Sequence, residues 1–140
     1  MVTHKTKLLQ LTKEQDFKGI KLRLESLAYQ IKGDIFEWYL AELYRGNGWL
    51  TNIQGGRQDL GADILLYHPK TPSKVSMVIQ AKNHLKPLTF DQTKVELIKF
   101  EQKAAQQYNC QQFQIVAVNG FVAEANKLNE FNMILSDWGY

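Results

Sequence analysis

Apolar positions along the chain change period several times, and each change marks an element. Residues 1–18 hold Leu8, Leu9 and Leu11 among Lys5, Lys7, Lys13 and Lys18, a pattern that predicts a short basic helix or arm, loosely packed. Ile20, Leu24, Leu27 and Ala28 then fall at helical spacing up to Tyr29. Gly33 interrupts, Asp34 is a fitting N-cap, and Phe36, Tyr39, Leu40 and Leu43 form the apolar face of a second helix that Gly46 and Gly48 stop. Glu37, Ala41 and Tyr44 run along the flank of that face, so Glu37 points to the edge of whatever the helix covers.

Trp49 to Ile53 reads as a short strand, followed by a turn-rich stretch, Gln-Gly-Gly-Arg-Gln-Asp-Leu-Gly, at 54–61. Two further strands, 62–67 and 75–82, flank a connection in which Pro69 and Pro72 forbid a continued ladder. So short a loop makes them antiparallel neighbours. Thr89 and Gln92 have the spacing of a capping box, opening a helix that runs to about Tyr108. Residues 112–118 form another strand, so 75–118 is strand, helix, strand, a right-handed crossover between parallel strands. A last helix over 123–132 leads into Met133-Ile-Leu, an edge strand. The expected fold is α/β, a mixed central sheet flanked by helices.

A chain of 140 residues with 44% hydrophobic and 22% charged residues is an ordinary single domain. No apolar run approaches the roughly 20 residues of a membrane helix, and the N-terminus matches no signal peptide, so a cytoplasmic protein without a membrane partner is expected. Cys110 is the single cysteine, which excludes an intrachain disulfide and a thiolate zinc cluster. The net charge of +3 permits a nucleic-acid partner without demanding one.

The chemistry begins with a strand that ends in two polar residues. Strands repeat every two residues, so Gln80 and Lys82 project from one face of 75–82. Asp63 opens the antiparallel neighbour, which brings all three to one end of the sheet, within reach of Glu37 on the preceding helix. Carboxylates, an amide oxygen and an ammonium suit a hard cation such as Mg²⁺, with Asp63 as the leading ligand and Lys82 orienting or deprotonating a water. The reaction such a site performs is phosphodiester hydrolysis.

The order of Glu37, Gly61-Ala-Asp63 and Gln80-Ala-Lys82 resembles the PD-(D/E)XK restriction-endonuclease-like nucleases, in particular their Mrr-like branch, with its QxK form. The resemblance covers Gly33 to about Trp138, taking in Gly33-Asp-Ile-Phe-Glu37, Gly48-Trp49 and the Asn119-Gly-Phe segment. It implies a three-layer nuclease domain over 33–140 behind an N-terminal basic arm and helix over 1–32. It also implies a Mg²⁺-dependent DNA endonuclease, Mn²⁺ substituting, often in restriction or other defence systems and sometimes fused to recognition or helicase domains. Asp63 and Gln80 would hold the metal, Glu37 would assist through a metal or water contact, and Lys82 would act on the nucleophilic water. Ala62 stands where the family name has proline. Gln80 carries one negative charge fewer than the more common acid, so Gln80→Glu should bind Mg²⁺ more tightly.

Secondary candidates surround these residues. Arg57, in a glycine-rich loop, fits a phosphate contact, and Asp59 is a further acid near the site. Lys86 and Lys94, with Lys70 and Lys74, would extend a basic track for the DNA backbone. His68 and His84 share no zinc spacing, and Trp38 and Trp138 read as packing residues. Two alternatives stay open: a DNA-binding or assembly module that kept the fold without the chemistry, and a repair or junction-cleaving nuclease, for which a homodimer is expected.

Overall fold

The computed structural model of the chain describes residues 3–54, 61–130 and 133–137, and of 130 and 133–137 the backbone only. Three helices come first: α1 (His4–Lys13), α2 (Phe17–Glu25) and α3 (Tyr29–Gly46). The strands β1 (Leu50–Ile53), β2 (Ile64–Tyr67) and β3 (Val75–Lys82) follow. Helix α4 (Phe90–Lys99) passes through a π-helical turn, Phe100–Ala104, into the short α5 (Ala105–Gln107). Strand β4 (Phe113–Ala117), a 3₁₀ helix (Ala123–Glu130) and β5 (Met133–Asp137) complete the described chain.

The strands form one sheet in sequence order, β1-β2-β3-β4-β5. Pairing is antiparallel from β1 to β3 and parallel from β3 to β5, so β3 is the strand at which the sheet changes sense. Alternation along the strands then makes two cores. Ile64, Leu66 and Ile79 face α1, α2 and α3, joining Leu8, Leu24, Phe36 and Tyr39. Leu65, Val78, Phe113 and Ile115 face the other layer, joining Leu97 and Phe100, whose ring stacks on Phe113 at 4.4 Å. The result is the expected three layers, with helices on both faces of a mixed sheet.

Two expectations give way on the N-terminal side. Helix α3 begins at Tyr29, on an Ala28 N-cap without a side-chain bond, so Gly33 and Asp34 lie inside it. An interior glycine costs about 1 kcal/mol relative to alanine, but burial of Phe36, Tyr39, Leu40 and Ala41 offsets that cost several times over. The N-terminal segment is also tighter than an arm. Leu8 and Leu11 are buried, and Thr12 shares a hydrogen bond with the Tyr39 hydroxyl, so α1 is tied to α3. Residues 32 and 33 are consecutive residues of α3, and the helices before and within it share one core. Further along, 123–130 is 3₁₀ rather than α.

The Thr89 capping box forms as the spacing predicts: the Thr89 hydroxyl accepts from Gln92 N–H and the Gln92 side chain accepts from Thr89 N–H. It fixes where α4 starts, and so which residues α4 turns toward the sheet. At the other end of α4, Gly61 comes against the helix backbone with φ +70°. A Cβ there would stand 3.2 Å from the Phe100 nitrogen and 3.4 Å from the Lys99 carbonyl carbon. Gly61→Ala therefore combines a left-handed backbone with a crowded contact. The expected loss is about 1–3 kcal/mol, measured as a lower denaturation midpoint.

Candidate active site at the end of the β2–β3 ladder

The last registered pair of β2 and β3 is Ile64 with Ile79, so Asp63 and Gln80 stand across from each other just beyond it. Directly opposed residues share a face, and Lys82 lies two positions further along the same side. Asp63 is held by the backbone. Its N–H donates to Ile79 C=O and its Oδ2 accepts the Ala81 N–H, both at 2.8 Å. Gln80 is buried at 9% exposure, unusual for an amide at a strand end.

Lys82 Nζ lies 3.0 Å from Oε1 of Glu96, a buried acid of α4 that sequence reasoning missed. Its signal was faint. Glu96 falls in the stripe of Thr93, Leu97 and Phe100 that faces the sheet, where an acid is out of place. Burial pushes the Asp63 carboxyl above its ordinary value, while the Ala81 N–H, Lys82 and Lys99 pull it down and Glu96 pushes it up. Lys82, Glu96 and Lys99 thus all act electrostatically on Asp63.

Glu37, on the opposite helical layer, feels the charge of Asp63. Burial, then the charges of Asp63 and Asp34, push its carboxyl up to about 8, and its Oε1 is buried without a hydrogen-bond partner. It pairs with neither Arg45 nor Lys32. Arg45 is bonded to Glu42 instead. Gly33, one turn before Glu37, leaves that side open: a Cβ on Gly33 would stand 3.9 Å from Glu37 Oε2.

Beside these residues lies a cleft of about 730 Å³ between the N-terminal turns of α3 and the segment leaving β3, with Lys82 in its wall. Lys32, His84 and Lys86 line it. Burial and then Lys82 and Lys32 lower the His84 pKa. Lys94 stands apart from the cleft, its ammonium 5.9 Å from the Phe90 ring centroid. Trp38 packs against the first core beneath Lys5, and Cys110 is buried in the second, as packing residues. Arg57, Asp59 and Trp138 lie outside the described residues.

The oxygen-rich donor set fits a hard divalent cation. Asp63, the Gln80 amide and the unpartnered oxygens of Glu37 and Glu96 are available, and Mg²⁺ needs one or two carboxylates while keeping several waters. Among the described residues no three His, Cys, Asp or Glu side chains converge on one point.

The raised pKa of Glu37 has a definite sign in stability. Its ordinary value is 4.5 and its folded value about 8, so it costs the fold nothing below the first and progressively more up to the second. Glu37→Gln should therefore raise the melting temperature of the metal-free protein at about pH 9, and this gain should vanish near pH 4. Thermal melts of both proteins across that range check it.

Comparisons with known proteins bear on the family and the fold. A search of the curated proteins found no match. The crystal structure of AF1548, a protein of unknown function, superposes with a TM-score of 0.59 at 18% identity, covering 74% of this chain. The chain spans 57% of the length of that protein, and the likeness shows the fold. No helix among the described residues is long and apolar enough to cross a membrane. The family model of the Mrr catalytic domain, described as restriction endonuclease, matches residues 28–137, and the chain belongs to that nuclease family.

Proposed function

We propose that the chain is a divalent-metal-dependent endonuclease that hydrolyses DNA phosphodiester bonds, serving restriction or anti-phage defence. The observation that carries this reading is the convergence of Asp63, Gln80 and Lys82 at the end of the β2–β3 ladder, beside a lysine-lined cleft. Asp63 would hold the metal through the oxygen that Ala81 leaves free, and Gln80 would add its amide oxygen. Glu37 would join from α3 through a metal or water contact. Bound there, Mg²⁺, or Mn²⁺ in its place, would polarise the scissile phosphate and acidify a water. Lys82 would orient that water and take or steady its proton, its ammonium kept in place by Glu96.

Lys32 and Lys86 would contact the DNA backbone in the cleft, with Arg57 contributing from the segment before β2 and Lys94 extending the basic track along α4, and Asp59 would be a further acid near the site. Contacts of this kind give affinity without sequence preference. Target choice would then come from a second copy of the chain or from recognition or helicase domains of a longer protein. The neutral Gln80 is the one feature that favours a binding module without chemistry.

Supercoiled plasmid incubated with the protein and Mg²⁺ should be nicked or linearised, and EDTA should stop it. Asp63→Ala should abolish cleavage, and Lys82→Ala should slow it by a factor on the order of 10²–10⁴. Plasmid binding that persists while neither Mg²⁺ nor Mn²⁺ supports cleavage would instead establish the binding module.

A further inference from the structure

Helix α4 carries two acids with different surroundings. Asp91 lies exposed in the first turn, whereas Glu96 is only 8% exposed, set between Thr93 and Leu97 on the face turned to the sheet. Solvent alone does not account for an acid there. Glu96 Oε1 accepts the Lys82 ammonium at 3.0 Å, while Oε2 is buried and has no hydrogen-bond partner. A buried carboxylate oxygen calls for a donor or a cation. Its charge acts on Asp63, whose opposite number on β3 is the neutral Gln80.

We infer that Glu96 is the second carboxylate of the metal site: α4 supplies the negative charge that β3 lacks at Gln80. The inference rests on the metal-dependent nuclease reading and deepens it. Oε2 would turn to the cation that Asp63 holds, while Oε1 keeps the Lys82 ammonium beside it. Two carboxylates on different elements give Mg²⁺ its usual anionic complement, with the remaining positions left to the Gln80 amide, water and phosphate. In the metal-free protein Lys82 is the counter-charge of Glu96, so a bound ion would share that carboxylate with a like-charged ammonium whose repulsion works against it.

Titration calorimetry of the whole chain with Mg²⁺ alone, without DNA, tests this directly. Glu96→Gln keeps the size of the side chain and an acceptor for Lys82, and thermal melting verifies that it folds. It should weaken Mg²⁺ binding roughly tenfold or more, and adding Gln80→Glu to it should restore binding by returning the charge from the strand side. Lys82→Met, which removes that ammonium and leaves Glu96, should bind Mg²⁺ at least as tightly as the unaltered chain, and serves if Glu96→Gln fails to fold. Wild-type affinity in a folded Glu96→Gln, a loss that Gln80→Glu does not restore, or weaker binding by Lys82→Met would each overturn the inference while leaving the nuclease reading standing. An unaltered chain that takes up neither Mg²⁺ nor Mn²⁺ would overturn both.

Discussion

Everything at the site depends on how the backbone holds Asp63. Its N–H donates to Ile79 C=O, its own C=O accepts the Gln54 N–H just past the end of β1, and its Oδ2 accepts the Ala81 N–H, each at 2.8 Å. Three hydrogen bonds therefore lock one residue to two neighbouring strands, and the carboxylate is left with one oxygen free of that lattice. An acid on a loop would need rotamer entropy to be lost at the moment of binding. Here it is lost on folding, which is what preorganisation of a charged group means physically.

That rigidity creates an electrostatic problem. Asp63 lies between Glu37 on one helical layer and Glu96 on the other, and burial already disfavours its charged form. Lys82 and Lys99 relieve part of this on the α4 side, whereas Glu37 has Asp34 and Asp63 as its charged influences and is pushed furthest from its ordinary range. Charge strain of this kind is offset by the two apolar cores, one on each face of the sheet. A dense fold thus carries a polar end that would be unfavourable on its own.

What the sequence revealed follows the range over which its signals act. Strand β3 has the bounds its pattern predicts, 75–82, and the capping box at Thr89 and Gln92 forms, because both signals are local. The pairing of Asp63 with Gln80 was legible for the same reason: period-two alternation and a short connection leave little freedom. The start of α3 was not, because Gly33 and Asp34 are strong local punctuation that burial of Phe36 and Tyr39 overrides. Packing of α1 was hidden because it depends on Tyr39, 27 residues from its Thr12 partner. Glu96 was hidden more deeply still, since a charge on a helix defaults to solvent and only the stripe it interrupts marks it.

The change from antiparallel to parallel pairing explains why these residues gather where they do. β3 runs antiparallel to β2 and parallel to β4, so its C-terminal end lies beside the start of β2 and the end of β4. The chain must leave the sheet there to enter the α4 crossover, which opens a gap above Lys82 that a purely antiparallel hairpin would close. Two side chains keep that exit from drifting: Asn83 donates to Leu24 C=O at 3.0 Å, and Asn119 donates to His84 C=O at 2.6 Å. The first ties the exit to α2 and the second to the segment after β4, so one helical layer and the end of β4 fix the wall of the cleft. Topology opens the cleft, and these bonds make it the same cleft each time the chain folds.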